Sequence, residues 1–143
     1  MHKEKNTALI AFLVCLTALI SPLVLIPIEK AVPYPYIVEE LFKAILIFYV
    51  IKLFDETIQT KLALLAGFLF SLSENVFYLA NFISNGLYYS TFWQRSLLTT
   101  SLHLLTMTII LLPSQKRIYC IIPATIVAII IHFLYNQTVL SLF

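Results

Sequence analysis

The sequence predicts an all-α fold, a polytopic membrane helix bundle of about five transmembrane helices. Three observations carry this. The 143 residues are 61% hydrophobic and 11% charged, with a mean hydropathy of +0.96. That is more apolar surface than a soluble domain of this size can bury, so the solvent is lipid. The apolar residues fall into five runs, parted by short stretches rich in Pro, Tyr, Asn and charge. The basic residues gather in alternate connections, which is the positive-inside pattern. The length suits a single domain spanning residues 1–143. A net charge of +2, scattered along the chain, offers nucleic acid no basic patch. Cys15 and Cys120 lie in separate runs and read as small apolar fillers rather than a disulfide or a zinc-thiolate pair.

Ala8 to Ile28 is an uncharged run of 21 residues, enough to cross ~30 Å of hydrocarbon. Its basic start, His2-Lys3-Glu4-Lys5, also suits a signal peptide. The run is longer than an ordinary signal core and no small-x-small site follows, so a retained helix is expected. Pro27, Pro33 and Pro35 then break the chain into a connection from Glu29 to Tyr36. A second span covers about residues 37–54, and a polar turn from Asp55 to Lys61 leads to a third, about 62–83. Asn85-Gly86 with Tyr88 and Tyr89 reads as an interfacial turn. The fourth span, about 92–112, stops at Pro113, and the fifth covers about 118–140.

With the N-terminus in the cytoplasm, Lys3, Lys5, Lys52, Lys61, Lys116 and Arg117 all lie inside and Lys30 faces out. Arg95 sits just within the outer end of the fourth span. This orientation puts Glu39 and Glu40 within a turn of the outer end of the second span. Glu74 is roughly 15 Å and His103 roughly 16 Å from the outer ends of theirs. His132 lies beyond the midpoint of the fifth span and Asn136 one turn further out. The polar groups therefore gather in the outer half and centre of the membrane, although the helices alternate in direction.

Spacing also puts them on shared faces. Glu39 and Glu40 stand four and three residues before Lys43, so all three share a side of the second helix. Gly67, Ser71, Glu74, Tyr78, Asn81 and Asn85 form a stripe on the third. Ser96, Thr99, Thr100, His103 and Thr106 form one on the fourth, flanked by Arg95, and Thr125, His132 and Asn136 align on the fifth. A charge near the middle of a membrane helix costs roughly 2.5–3.5 kcal/mol, so these stripes should line an internal polar cavity. The Ser and Thr members alone read as interhelical packing. Asn136-Gln137-Thr138 matches a glycosylation acceptor but falls in an apolar run.

Carboxylates and imidazoles in such a cavity suit hydrolysis of a peptide bond. Glu40 is the leading candidate for activating water, with Glu39 in support. His103 or His132 would orient the water or stabilise the oxyanion, Asn136 would hold the second imidazole, and Lys43 and Arg95 would balance charge. In the metal version, Glu40, His103 and His132 would bind zinc. No HExxH spacing is present, so a glutamate-only reaction stands beside it. Ion translocation is a rival class, although five helices without a repeat make a poor transporter. So is a non-enzymatic, immunity-type or partner-binding membrane protein whose charges only hold the bundle together.

Four motifs in order resemble the PrsW family of intramembrane proteases, relatives of the CAAX-protease and bacteriocin-processing (CPBP) superfamily. They are Glu39-Glu40-Leu41-Phe42-Lys43, the stretch from Gly67 to Tyr78 with its Glu74-Asn75 pair, Arg95 followed by His103, and His132-Phe133-Leu134-Tyr135-Asn136. The resemblance implies cleavage of a membrane-anchored protein, such as an anti-sigma factor, near its extracytoplasmic side. It implies a site made of Glu39, Glu40, Glu74, His103 and His132, and leaves metal dependence open.

Overall fold

The computed structural model describes residues 2–85 and 89–140. Among them are five α-helices and no strand: α1 (His2–Ala31), α2 (Pro35–Leu53), α3 (Glu56–Asn85), α4 (Tyr89–Lys116) and α5 (Ile121–Leu140). A 3₁₀ turn, Ile118–Cys120, precedes α5. The expected turn at Asn85–Tyr89 falls largely on residues 86–88, outside the described residues. The side chains of Lys3, Lys5, Asn81 and Asn85 lie outside them as well.

Four helices are long and apolar enough to cross a membrane: Thr7–Ile28, Glu56–Ser84, Phe92–Lys116 and Ile118–Thr138. The exception is α2, which carries Glu39, Glu40, Lys43 and Lys52 in 19 residues. At about 1.5 Å per residue it still reaches roughly 28 Å. Its position explains how those charges are borne. α2 packs against α1, α3, α4 and α5, while α1, α3, α4 and α5 follow one another in contact around it. The four neighbours meet the face that buries Glu40, Lys43, Leu46, Ile47 and Val50, while Leu41, Ile45, Tyr49 and Leu53 stay exposed on the other.

Four boundaries differ from the sequence expectation. Pro22 and Pro27 both lie inside α1, so Pro27 does not end it. A proline removes the bond to the carbonyl four residues back. At Pro22 that carbonyl is Ala18's, and the Ser21 hydroxyl donates to it at 2.8 Å. Pro35 opens α2 at its first turn, where its missing N–H is no loss. Pro113 is carried inside α4, which runs on to Lys116. The polar turn before α3 contracts to Phe54-Asp55, where Gln59 Nε2 donates to the carbonyl of Phe54 in the turn (2.6 Å) and to that of Ile51 in α2 (3.2 Å).

The apolar core fills one end of the bundle. Leu46, Ile47 and Val50 of α2 meet Leu62, Ala63 and Ala66 of α3 and Met107, Ile110 and Leu111 of α4. Val14 and Ala18 of α1 close one side and Ala128 of α5 the other. At the opposite end the same helices bury polar side chains instead. Gly67 marks the boundary: a Cβ there would lie 3.1 Å from Met107 Cγ and 3.2 Å from the His103 carbonyl. Its lack of a side chain is what lets α3 and α4 approach at the level of His103.

Candidate active site

Lys43 starts the site because it is wholly buried and must be neutralised locally. One helical turn back, Glu40 is also wholly buried, and its Oε1 accepts from Lys43 Nζ at 2.6 Å. Lys43 Nζ also donates to Thr106 Oγ1 of α4 at 3.1 Å and sits 5.3 Å from the centre of the Phe70 ring. One cation thus ties α2 to α3 and α4.

The same Glu40 oxygen receives His132 Nδ1 of α5 at 2.7 Å. A carboxylate oxygen only accepts, so Nδ1 carries the hydrogen. Nε2 of the neutral ring is then left with its lone pair. That nitrogen is 3.9 Å from Glu39 Oε2. Tyr36 and Tyr135 flank the ring, with centroids at 6.0 and 6.3 Å, and His103 stands perpendicular to it at 5.9 Å.

A second carboxylate–imidazole pair joins α3 to α4. His103 Nε2 and Glu74 Oε2 are 2.5 Å apart, and the His103 ring lies on Phe70 at 4.9 Å. His103 Nδ1 is buried and has no hydrogen-bond partner among the described residues. Ligand atoms of Glu39, Glu74 and His103 all lie within 4.8 Å of one another. Two carboxylates so close repel unless a cation or proton stands between them. Two oxygens and one imidazole nitrogen, with His132 Nε2 beside them, form a donor set suited to a divalent ion such as zinc. The residues fit a metal. The clustered set is Glu39, Glu74 and His103 rather than the expected Glu40, His103 and His132, because Glu40 is taken up by Lys43 and His132.

Two cavities meet here. A small one of about 160 Å³ is walled by Glu74, Arg95, His103, His132 and Tyr135, among others. A larger one of about 440 Å³ opens towards Lys30 and Pro35, with Glu39 and Glu74 in its wall. Glu74, Tyr78, His132 and Asn136 border both. Glu40, the residue expected to activate water, is wholly buried and borders neither of these two cavities. Asn136 borders both cavities, but the group holding the second imidazole is Glu40. Arg95 is brought to the site, and among the described residues no carboxylate lies within 4.0 Å of it; it stacks on Tyr78, its Cζ 3.6 Å from the ring centre.

The hydroxyl stripes divide in two. Thr106 serves Lys43, and Thr99 Oγ1 is 2.8 Å from the Tyr135 hydroxyl. Ser71 and Thr100 bond each other at 2.7 Å, joined by Asn75, and do the interhelical packing expected of such residues. Tyr36, Phe70 and Tyr135 were not singled out from sequence. The spacing rule reaches all three: Tyr36 stands three residues before Glu39, Phe70 four before Glu74 and Tyr135 three after His132.

A family model described as PrsW family intramembrane metalloprotease matches residues 6–143. No curated protein and no solved structure matches the chain. With nearly its whole length accounted for and the acidic and imidazole residues drawn together at one end of the bundle, the chain belongs to the PrsW family of intramembrane metalloproteases.

Proposed function

We propose that the protein is an integral membrane endopeptidase that hydrolyses a peptide bond of a membrane-anchored protein near the extracytoplasmic side. An anchored anti-sigma factor is the kind of substrate its family resemblance implies. The observation that carries the reading is the convergence of Glu39, Glu74 and His103 beside a His132 that Glu40 holds at Nδ1. The orientation is supported by charge. Lys52, Lys61 and Lys116 lie at the apolar-core end of the bundle and Lys30 at the end where the larger cavity opens, which favours the former as cytoplasmic.

A divalent ion held by Glu39, Glu74 and His103 would supply positive charge that polarises the scissile carbonyl. The chain's own side chains handle the proton. His132 Nε2, its lone pair turned towards Glu39, accepts a proton from the attacking water and returns it to the leaving amine. The water's hydroxyl joins the carbonyl carbon as the C–N bond breaks. Glu40 keeps the imidazole in the tautomer this needs, and Lys43 keeps Glu40 in place. Such acid–base assistance is worth about 10²–10⁴-fold.

The test is cleavage of co-reconstituted single-span substrates. Glu74→Gln and His132→Ala are expected to lower the rate by about 10²–10⁴-fold while leaving membrane abundance nearly unchanged. A strong chelator should do the same, with recovery on adding zinc. Cleavage that survives both substitutions, or its absence across a library of anchored substrates, would leave the charges as props of the fold alone.

A further inference from the structure

Arg95 bears a permanent charge in the wall of the small cavity. Its Nε is buried with no hydrogen-bond partner. Among the described residues, no carboxylate lies within 4.0 Å of it. Glu74, which shares the cavity, is engaged by His103 at 2.5 Å. Tyr78 is its neighbour by stacking and by a side-chain hydrogen bond, but a guanidinium at membrane depth with no carboxylate beside it is costly, and such groups mark functional positions. It offers five donors and no acceptor, in a planar fork matched to a carboxylate. Stacking on Tyr78 at 3.6 Å fixes the plane of that fork before anything binds.

The two cavities set what can reach it. The small one, about 160 Å³, has the room of roughly five waters at about 30 Å³ each, hence of one short side chain. The larger, about 440 Å³, has Pro22, Ile26, Phe70 and Phe77 in its walls. Glu74 and His132 lie where the two join. A peptide drawn across that junction puts apolar residues in the larger cavity and its next residue beside Arg95.

We propose that Arg95 is a specificity subsite for a substrate carboxylate directly beside the scissile bond, with the apolar part of the same segment in the larger cavity. The carboxylate belongs to an Asp or Glu side chain or to a free C-terminus. The inference rests on the peptidase reading above and deepens it. It differs from a charge-balancing role for Arg95 in one respect: reversing the charge at Arg95 should reverse the preference.

The experiment presents wild-type protein and Arg95→Lys, Arg95→Gln and Arg95→Glu variants in nanodiscs with internally quenched single-span peptides. Each peptide position in turn carries Glu, Gln or Lys, with the C-terminus free or amidated. Anisotropy reads binding and dequenching reads cleavage. At one position, Glu should be preferred to Gln by about tenfold or more in Kd and KM with kcat little changed, the loss expected for a charge-assisted bidentate pair. Arg95→Gln should erase the preference, Arg95→Lys keep part of it, and Arg95→Glu turn it towards Lys. A preference for internal Glu assigns the side chain; one that vanishes on amidation assigns the C-terminus. No carboxylate preference in wild type overturns the subsite, as does one unchanged in Arg95→Gln or a uniform weakening of all peptides in the variants. Arg95-dependent binding of the carboxylate without cleavage upholds the subsite and removes the peptidase reading. Cleavage with no carboxylate preference does the reverse, and neither binding nor cleavage overturns both.

Discussion

The two ends of the bundle are built by the same helices and obey different rules. At one end Ile47, Val50, Ala66 and Met107 are buried almost completely, and only shape and dispersion hold them, because lipid is as apolar as they are. At the other, Glu40, Lys43, His103 and His132 are buried nearly as well, and each is tied by a directed bond to a different helix or turn. An apolar contact tolerates sliding; the chain from Thr106 through Lys43 and Glu40 to His132 does not, because each bond there spans 3.1 Å or less. The apolar end secures the bundle and the polar end sets its register.

Removing one charge should break that division most severely. Lys43→Met keeps volume but strands Glu40 without its cation, and an uncompensated buried charge costs about 3–5 kcal/mol. Unfolding in detergent is expected to show that loss, with the Glu40→Gln, Lys43→Met double variant recovering much of it. A double variant no more stable than the single one would mean the pair is not what orders this end. At the boundary, Gly67→Ala places a methyl group against Met107 Cγ and the His103 carbonyl. It should destabilise by about 1–3 kcal/mol and lower activity as well. Trimming Met107 to Ala in the same chain relieves only the flexible contact, so activity should stay depressed while the backbone of His103 remains displaced. The smallest effect belongs to the far end, where Gln115 Nε2 reaches Gln59, Thr60 and the Glu56 carbonyl within 3.3 Å. Gln115→Ala should cost about 0.5–1.5 kcal/mol and leave cleavage rates alone. A drop in activity there would couple the two ends more tightly than their contacts suggest.

Much of the bundle was legible in the sequence because lipid imposes a single requirement on every span, so run length and charge placement located the helices. The polar stripes were legible for a related reason: a buried charge must face the interior, and helical spacing says which residues do so together. What stayed hidden depends on contacts distant in the chain. Glu39 and Glu40 are adjacent, so they point about 100° apart on the helix, at 3.6 residues per turn. Which of them faces the cavity is decided by His132, 92 residues beyond Glu40. The proline boundaries were misplaced because Pro27 and Pro113 each remove one backbone bond, which does not end a helix packed among neighbours. Arg95 was legible as a charge near the site; its stacking on Tyr78 rather than beside a glutamate was not.

The central place of α2 has a consequence for how the protein is made. As the chain emerges, α2 meets the membrane before α3, α4 and α5 and is the least able to stay there alone, with roughly 2.5–3.5 kcal/mol against it for each unpaired charge near its middle. Lys43 and Glu40 relieve one another within the helix. Thr106 arrives only with α4, and His132 only with α5. Until then Glu40 lacks its imidazole and the cavity lacks a wall. A chain that stops short of α5 therefore retains its carboxylates without the imidazole that orients them, and the polar site comes into being only when α5 docks.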